Sequence, residues 1–185
     1  GDLGQTTRPK KVAYTASYDH GETWTDPVMF VPAGPDSESA NPAIAIDGKG
    51  SLILTWMAVT DDFFYSQESQ DKGRTWSVPR RIAGAWNTIN VFDARLDTQV
   101  MAPDSAGNLH LIVVGRLTAE QRDMSLLRFV WDGSNWSAPE VVTTVDSTIS
   151  GDVPQWPSVW ISGGNRLHVA WYLRKAEMRV SSSQE

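Results

Sequence analysis

Eight residues, Ser69-Gln70-Asp71-Lys72-Gly73-Arg74-Thr75-Trp76, repeat a pattern already present at Ser17-Tyr18-Asp19-His20-Gly21-Glu22-Thr23-Trp24. Both read Ser-x-Asp-x-Gly-x-Thr-Trp, and both have Pro three residues after the Trp (Pro27, Pro79). At roughly one chance in twenty per fixed position, coincidence is remote. A third, shorter copy is Asp132-Gly133-Ser134-Asn135-Trp136, with Pro139 three residues on and Val130 in place of the Ser. Physically the pattern is a hairpin connection with its own scaffolding. Gly21 and Gly73 stand where a tight turn needs positive φ. The Asp accepts hydrogen bonds from turn N–H groups, the Ser hydroxyl does so more weakly, and the Trp packs back onto the sheet.

A second repeat fixes the period. The segments starting at Asp47, Asp104 and Ser162 are each a Gly-bearing turn followed by an alternating strand, a hairpin signal. Their leucines, Leu52, Leu109 and Leu167, lie 109 − 52 = 57 and 167 − 109 = 58 residues apart. Units of this length with four strands read as propeller blades.

The first repeat resembles the Asp-box (BNR) repeat of the sialidase (neuraminidase)-like superfamily. The resemblance implies an all-β fold, a sialidase-like β-propeller with each box between the third and fourth strands of a blade. It gives Ser17, Asp19, Gly21, Trp24, Ser69, Asp71, Gly73, Trp76, Asp132, Gly133 and Trp136 a structural role. On this reading residues 1–185 form one propeller segment. Blades fall at about 10–33 (strands three and four), 41–84 and 98–144 (complete) and 155–185 (strands one to three). Two complete four-stranded blades are thus flanked by two incomplete ones. Further blades or self-association would complete the ring, since open edges and apolar flanks seek partners.

Composition narrows the classes. A net charge of −6 disfavours nucleic acid as partner. No run of 18 apolar residues offers a membrane span. With no cysteine, disulfide and thiolate chemistry are excluded. His20, His110 and His168 are scattered along the chain, and no cofactor or metal site is expected.

The strand meander sorts the loops by face. Boxes and the Asp47, Asp104 and Gly163 turns share one face. The second-to-third-strand loops and the blade connectors share the other, which carries the site in the resembled family. The residues just before each first strand, Asn41, Thr98 and Gln155 or Trp156, should ring its mouth.

Sialidases need arginines to clamp the sugar carboxylate bidentately, with a Tyr nucleophile, a Glu and an acid/base Asp. The family's early Arg-Ile-Pro element is missing from this sequence, and so are counterparts of its Asp and Glu. Tyr172, Glu177 and Arg174 are weak catalytic candidates. The connector from Trp86 to Asp97 mixes aromatic and planar polar groups, the equipment that holds a sugar. Ligand-binding candidates are therefore Trp86, Asn90, Asp93 and Arg95, with Asn41, Gln155 and Trp156 at the mouth. The expected function is a non-catalytic propeller segment of a secreted or surface protein, binding glycan or protein. Alternatives are a fragment of an exo-sialidase or related glycoside hydrolase, with its catalytic residues largely elsewhere, and a purely structural scaffold.

Overall fold

The computed structural model describes residues 11–30, 38–59, 61–86, 99–121, 123–145 and 153–174. Twelve strands follow one another with no helix among the described residues. They are β1 (Val12–Tyr14), β2 (Val28–Phe30), β3 (Ser39–Ile46), β4 (Leu52–Ala58), β5 (Phe64–Ser69) and β6 (Arg80–Ile82). Then come β7 (Val100–Pro103), β8 (Leu109–Gly115), β9 (Met124–Trp131), β10 (Glu140–Val145), β11 (Val153–Ser162) and β12 (Arg166–Arg174). The sheets are β1-β2, β3-β4-β5-β6, β7-β8-β9-β10 and β11-β12, each pairing antiparallel to its chain neighbour. A third strand expected in the last sheet falls on residues outside those described.

Alternation along the central strands explains the stacking. On β4, Leu54 and Trp56 point toward the first sheet and cluster with Val12 and Phe30. Met57, from the other face of β4, joins Leu111, Val113, Leu127 and Phe129 of the third sheet. Ile112, Val114 and Leu126 in turn meet Val159, Leu167 and Val169 of the last. Each complete sheet is thus apolar on both faces and sandwiched between neighbours, as a propeller blade requires. Ser39 joins the first two blades: its buried hydroxyl accepts from Val12 N and donates to Phe30 O.

The hairpin turns between first and second strands sit side by side. Gly48 N donates to Gly107 O at 2.8 Å. Asn165 Oδ1 accepts from Ser105 N and Ser105 Oγ at 3.0 and 2.7 Å. Gly48 and Gly107 approach so closely that a Cβ on Gly107 would lie 2.3 Å from Gly48 Cα. Lys49 Nζ crosses to Gly133 O in the third box. These contacts gather turns and boxes on one face, as the meander predicts.

The mouth differs from expectation in one respect. Asn41, Gln155 and Trp156 lie inside β3 and β11 rather than before them. Asn41-Pro42 and Trp156-Pro157 form register shifts, with Asn41 and Trp156 at φ 53 and 49. A bulged, left-handed residue absorbs the missing proline N–H, so each strand continues beyond it.

Candidate functional site

The Asp boxes come first, because their chemistry decides whether they are a site. In the second box Ser69 Oγ donates to Asp71 Oδ1 (2.8 Å) while accepting from Gly73 N (2.8 Å). Asp71 also accepts from Thr75 N (2.8 Å) and Thr75 Oγ1 (2.6 Å). The first box repeats this with Ser17, Asp19, Gly21 and Thr23. Hydrogen bonds from the Thr23 hydroxyl and N–H, then from Ser17, pull the Asp19 carboxyl down to about 2. Those from Thr75 and Ser69 do the same to Asp71, also to about 2. In the third box the Asn135 and Ser134 N–H groups lower Asp132. These carboxylates are committed acceptors within their own turns.

One scaffold residue escapes the sequence reading. The hydroxyl following each box Trp closes the hairpin: Thr25, Ser77 and Ser137 accept from Ala16 N, Glu68 N and Val130 N. The same residues donate their own N–H to the carbonyls of Ala16, Glu68 and Val130. The signal was present as Trp-Thr, Trp-Ser and Trp-Ser.

The turns after the first strands are built the same way. Asp47 accepts from Lys49 N and Ser51 N, and its other oxygen takes the Trp131 indole N–H. Burial alone would raise Asp104, but bonds from Asn108, His110 and Ala106 outweigh it and lower the carboxyl. His110 and His168 are strand residues, bonded to Asp104 and to Ser162.

The opposite face is different. Trp86 begins the blade connector, and both its backbone groups pair with Arg116 (2.9 and 2.8 Å). Its ring lies 5.9 Å from that of Phe63, in the loop between β4 and β5. The Arg81 guanidinium covers Phe63 at 3.1 Å and stands 5.9 Å from Trp86. Beside them Asp61 accepts from Phe63 N and from the Tyr65 hydroxyl (2.7 Å). Burial, then the Asp61 bond, push Tyr65 up to about 12, so it stays a donor. Two aromatic rings, a cation and the Asp61 carboxylate thus converge where a second-to-third-strand loop meets a connector. Phe63 and Arg81 join Trp86 through tertiary packing, which no sequence motif announced.

Arg116, beneath this loop, and the remaining candidates are dispersed. Arg116 is 1% exposed and donates to Ala119 O, which makes it a pillar under the loop. Gln155 is buried. The Trp156 ring is tilted against that of Tyr172, centroids 5.5 Å apart, and both are half exposed. Asn90, Asp93, Arg95 and Glu177 lie outside the described residues, as does the Arg174 side chain.

No protein-family model and no curated protein sequence matches this chain. Solved structures do. The chain superimposes on Hadza microbial sialidase Hz136 with TM-score 0.57 and 14% identity, over 80% of this chain and 33% of that one. The α-L-arabinanase of Penicillium chrysogenum, complexed with arabinobiose, gives TM-score 0.62 and 20% identity, over 89% of this chain and 50% of the enzyme. A protein of unknown function from Dyadobacter fermentans gives 0.61 and 14%, over 88% and 51%. The chain therefore spans a third to a half of these structures' lengths. At such identities the likeness shows the fold: a sialidase-like β-propeller, of which this chain supplies an arc.

Proposed function

We propose that this arc of a sialidase-like propeller binds glycan without cleaving it, on the face opposite the Asp boxes. The observation that carries the reading is the Trp86–Phe63–Arg81 cluster, fixed by the two backbone bonds from Trp86 to Arg116. A pyranose or furanose presents apolar C–H faces and equatorial or pendant hydroxyls. An aromatic wall and nearby ionic acceptors and donors answer both. The connector residues Asn90, Asp93 and Arg95, which follow Trp86 in the chain, are the sequence's further ligand-binding candidates. The fold partners add support in kind: one is a sialidase, another was solved with arabinobiose. A secreted or surface location fits a glycan-binding role.

The non-catalytic part of the proposal rests on the sequence, which offers no Arg-Ile-Pro element and no matching Asp and Glu. The test is calorimetric titration with arabino-oligosaccharides and sialosides, alongside a fluorogenic sialoside assay. Binding without turnover is expected. Turnover by the purified chain, abolished by Tyr172→Phe, would overturn the non-catalytic reading.

A further inference from the structure

At one fixed distance after the Trp of each box stand Met29, Arg81 and Val141. A cation at this place therefore belongs to one blade and is not demanded by the repeat. Arg81 lies on β6, paired with Tyr65 of β5, so its backbone is fixed in a sheet while its side chain is exposed. The guanidinium carbon stands 3.1 Å from the centroid of the Phe63 ring and 5.9 Å from that of Trp86. Both rings are partly buried, which makes Arg81 the layer of the cluster that faces water. No hydrogen bond or ion pair holds this guanidinium among the described residues. Asp61, beside the cluster, is committed elsewhere, accepting from Phe63 N and the Tyr65 hydroxyl. Contact with the aromatic rings is what keeps Arg81 in place.

Stacking has a simple geometric requirement. A sugar's C–H face gains dispersion energy when its carbons come within about 3.5–4.0 Å of an aromatic ring. On Phe63 that space holds the Arg81 guanidinium. Sugar and guanidinium therefore compete for one face.

We propose that Arg81 is a movable cover on the glycan site. It lies on Phe63 in the free chain, and a neutral sugar ring takes its place there only when the side chain swings away. The cover presupposes the glycan site proposed above. The motion is small: exposed rotamers exchange in picoseconds to nanoseconds, so the swing needs no backbone change. An exposed cation–π contact biases an equilibrium by about two- to fivefold. Binding that must first undo it loses a similar factor in apparent affinity, because only the uncovered fraction of chains is competent. Arg81 thus sets the affinity for a neutral sugar without touching it.

The test is calorimetric titration of wild type, Arg81→Ala and Arg81→Gln with arabino-oligosaccharides. Neutral sugars are the right probe, because an acidic one would also pair with the released guanidinium. Both variants should bind about two- to fivefold tighter than wild type, while Phe63→Ala with Trp86→Ala binds more weakly. Nuclear magnetic resonance gives a second readout that requires no change in affinity. In the free chain the Phe63 ring current should shift the Arg81 side-chain protons upfield. That shift should vanish in Phe63→Leu and on saturation of wild type with the sugar. Weaker or unchanged binding by the Arg81 variants would overturn the cover. If the aromatic double variant still loses affinity in that case, the glycan site itself stands. A ring-current shift that survives saturation would likewise overturn the cover. Failure of wild type and both Arg81 variants to bind would overturn the cover and the site beneath it together.

Discussion

Trp24 and Trp76 occupy the same place in the same motif, yet one is 65% exposed and the other is wedged against Tyr14 and Phe30, 5.1 and 5.0 Å away. The motif sets the turn, and the preceding blade sets the burial. Trp76→Ala should therefore cost about 3 kcal/mol in urea unfolding through the cavity it leaves. Trp24→Ala should stay within about 0.5 kcal/mol. Equal losses in the two variants would contradict this account. The box carboxylates give a second prediction. Asp71 falls from 3.8 to about 2 on folding. Its depressed value stabilises the fold above the unfolded-state value, and that contribution disappears as pH falls toward 2. Asp71→Asn should lower the melting temperature at pH 6 and flatten its decline between pH 4 and 2. A variant whose melting curve parallels the wild type throughout would refute the role. Box residues were legible in the sequence because their bonds are local, within about four residues. Phe63 and Arg81 were not, because their meeting with Trp86 depends on how three separate segments pack.

At the scale of elements, hairpins were readable from Gly-bearing turns and alternating runs, and strand ends at the mouth were not. Asn41 and Trp156 stand before prolines, and the sequence reading put them just ahead of the first strands of their blades. The structure continues each strand through a left-handed bulge instead. The turns also carry more than chain reversal, because those of adjacent blades touch. Gly107→Ala would drive a Cβ into Gly48 Cα, while a Cβ on Gly50, at φ +83, meets nothing within 4 Å. Gly50→Ala should thus cost only the left-handed penalty, about 1 kcal/mol. Gly107→Ala adds a backbone clash between blades and should cost about 2–3 kcal/mol. Chemical denaturation of the two variants checks the difference, and a Gly107→Ala chain as stable as Gly50→Ala would mean that the turns do not hold the blades together.

Taken as a whole molecule, the arc separates its two faces by chemistry. One is occupied by self-satisfied turns: box and turn carboxylates bonded within a few residues, and inter-blade links such as Tyr18 Oη to Lys72 O. The other gathers an aromatic and ionic cluster at a blade connector. The fold itself was legible from two repeats, because propeller blades are periodic and each repeat names its strand. Function was less so, because a fold hosts many functions and the site is assembled from loops. The most direct test of glycan recognition on that second face is calorimetric titration of wild type, Phe63→Ala with Trp86→Ala, and Gln70→Ala on the box face. Arabino-oligosaccharides and sialosides serve as ligands. The account predicts that wild type and Gln70→Ala bind alike, while the aromatic double variant binds at least about tenfold more weakly, about 1.4 kcal/mol, with its melting transition still cooperative. Undiminished binding by the double variant, or loss confined to Gln70→Ala, would contradict it.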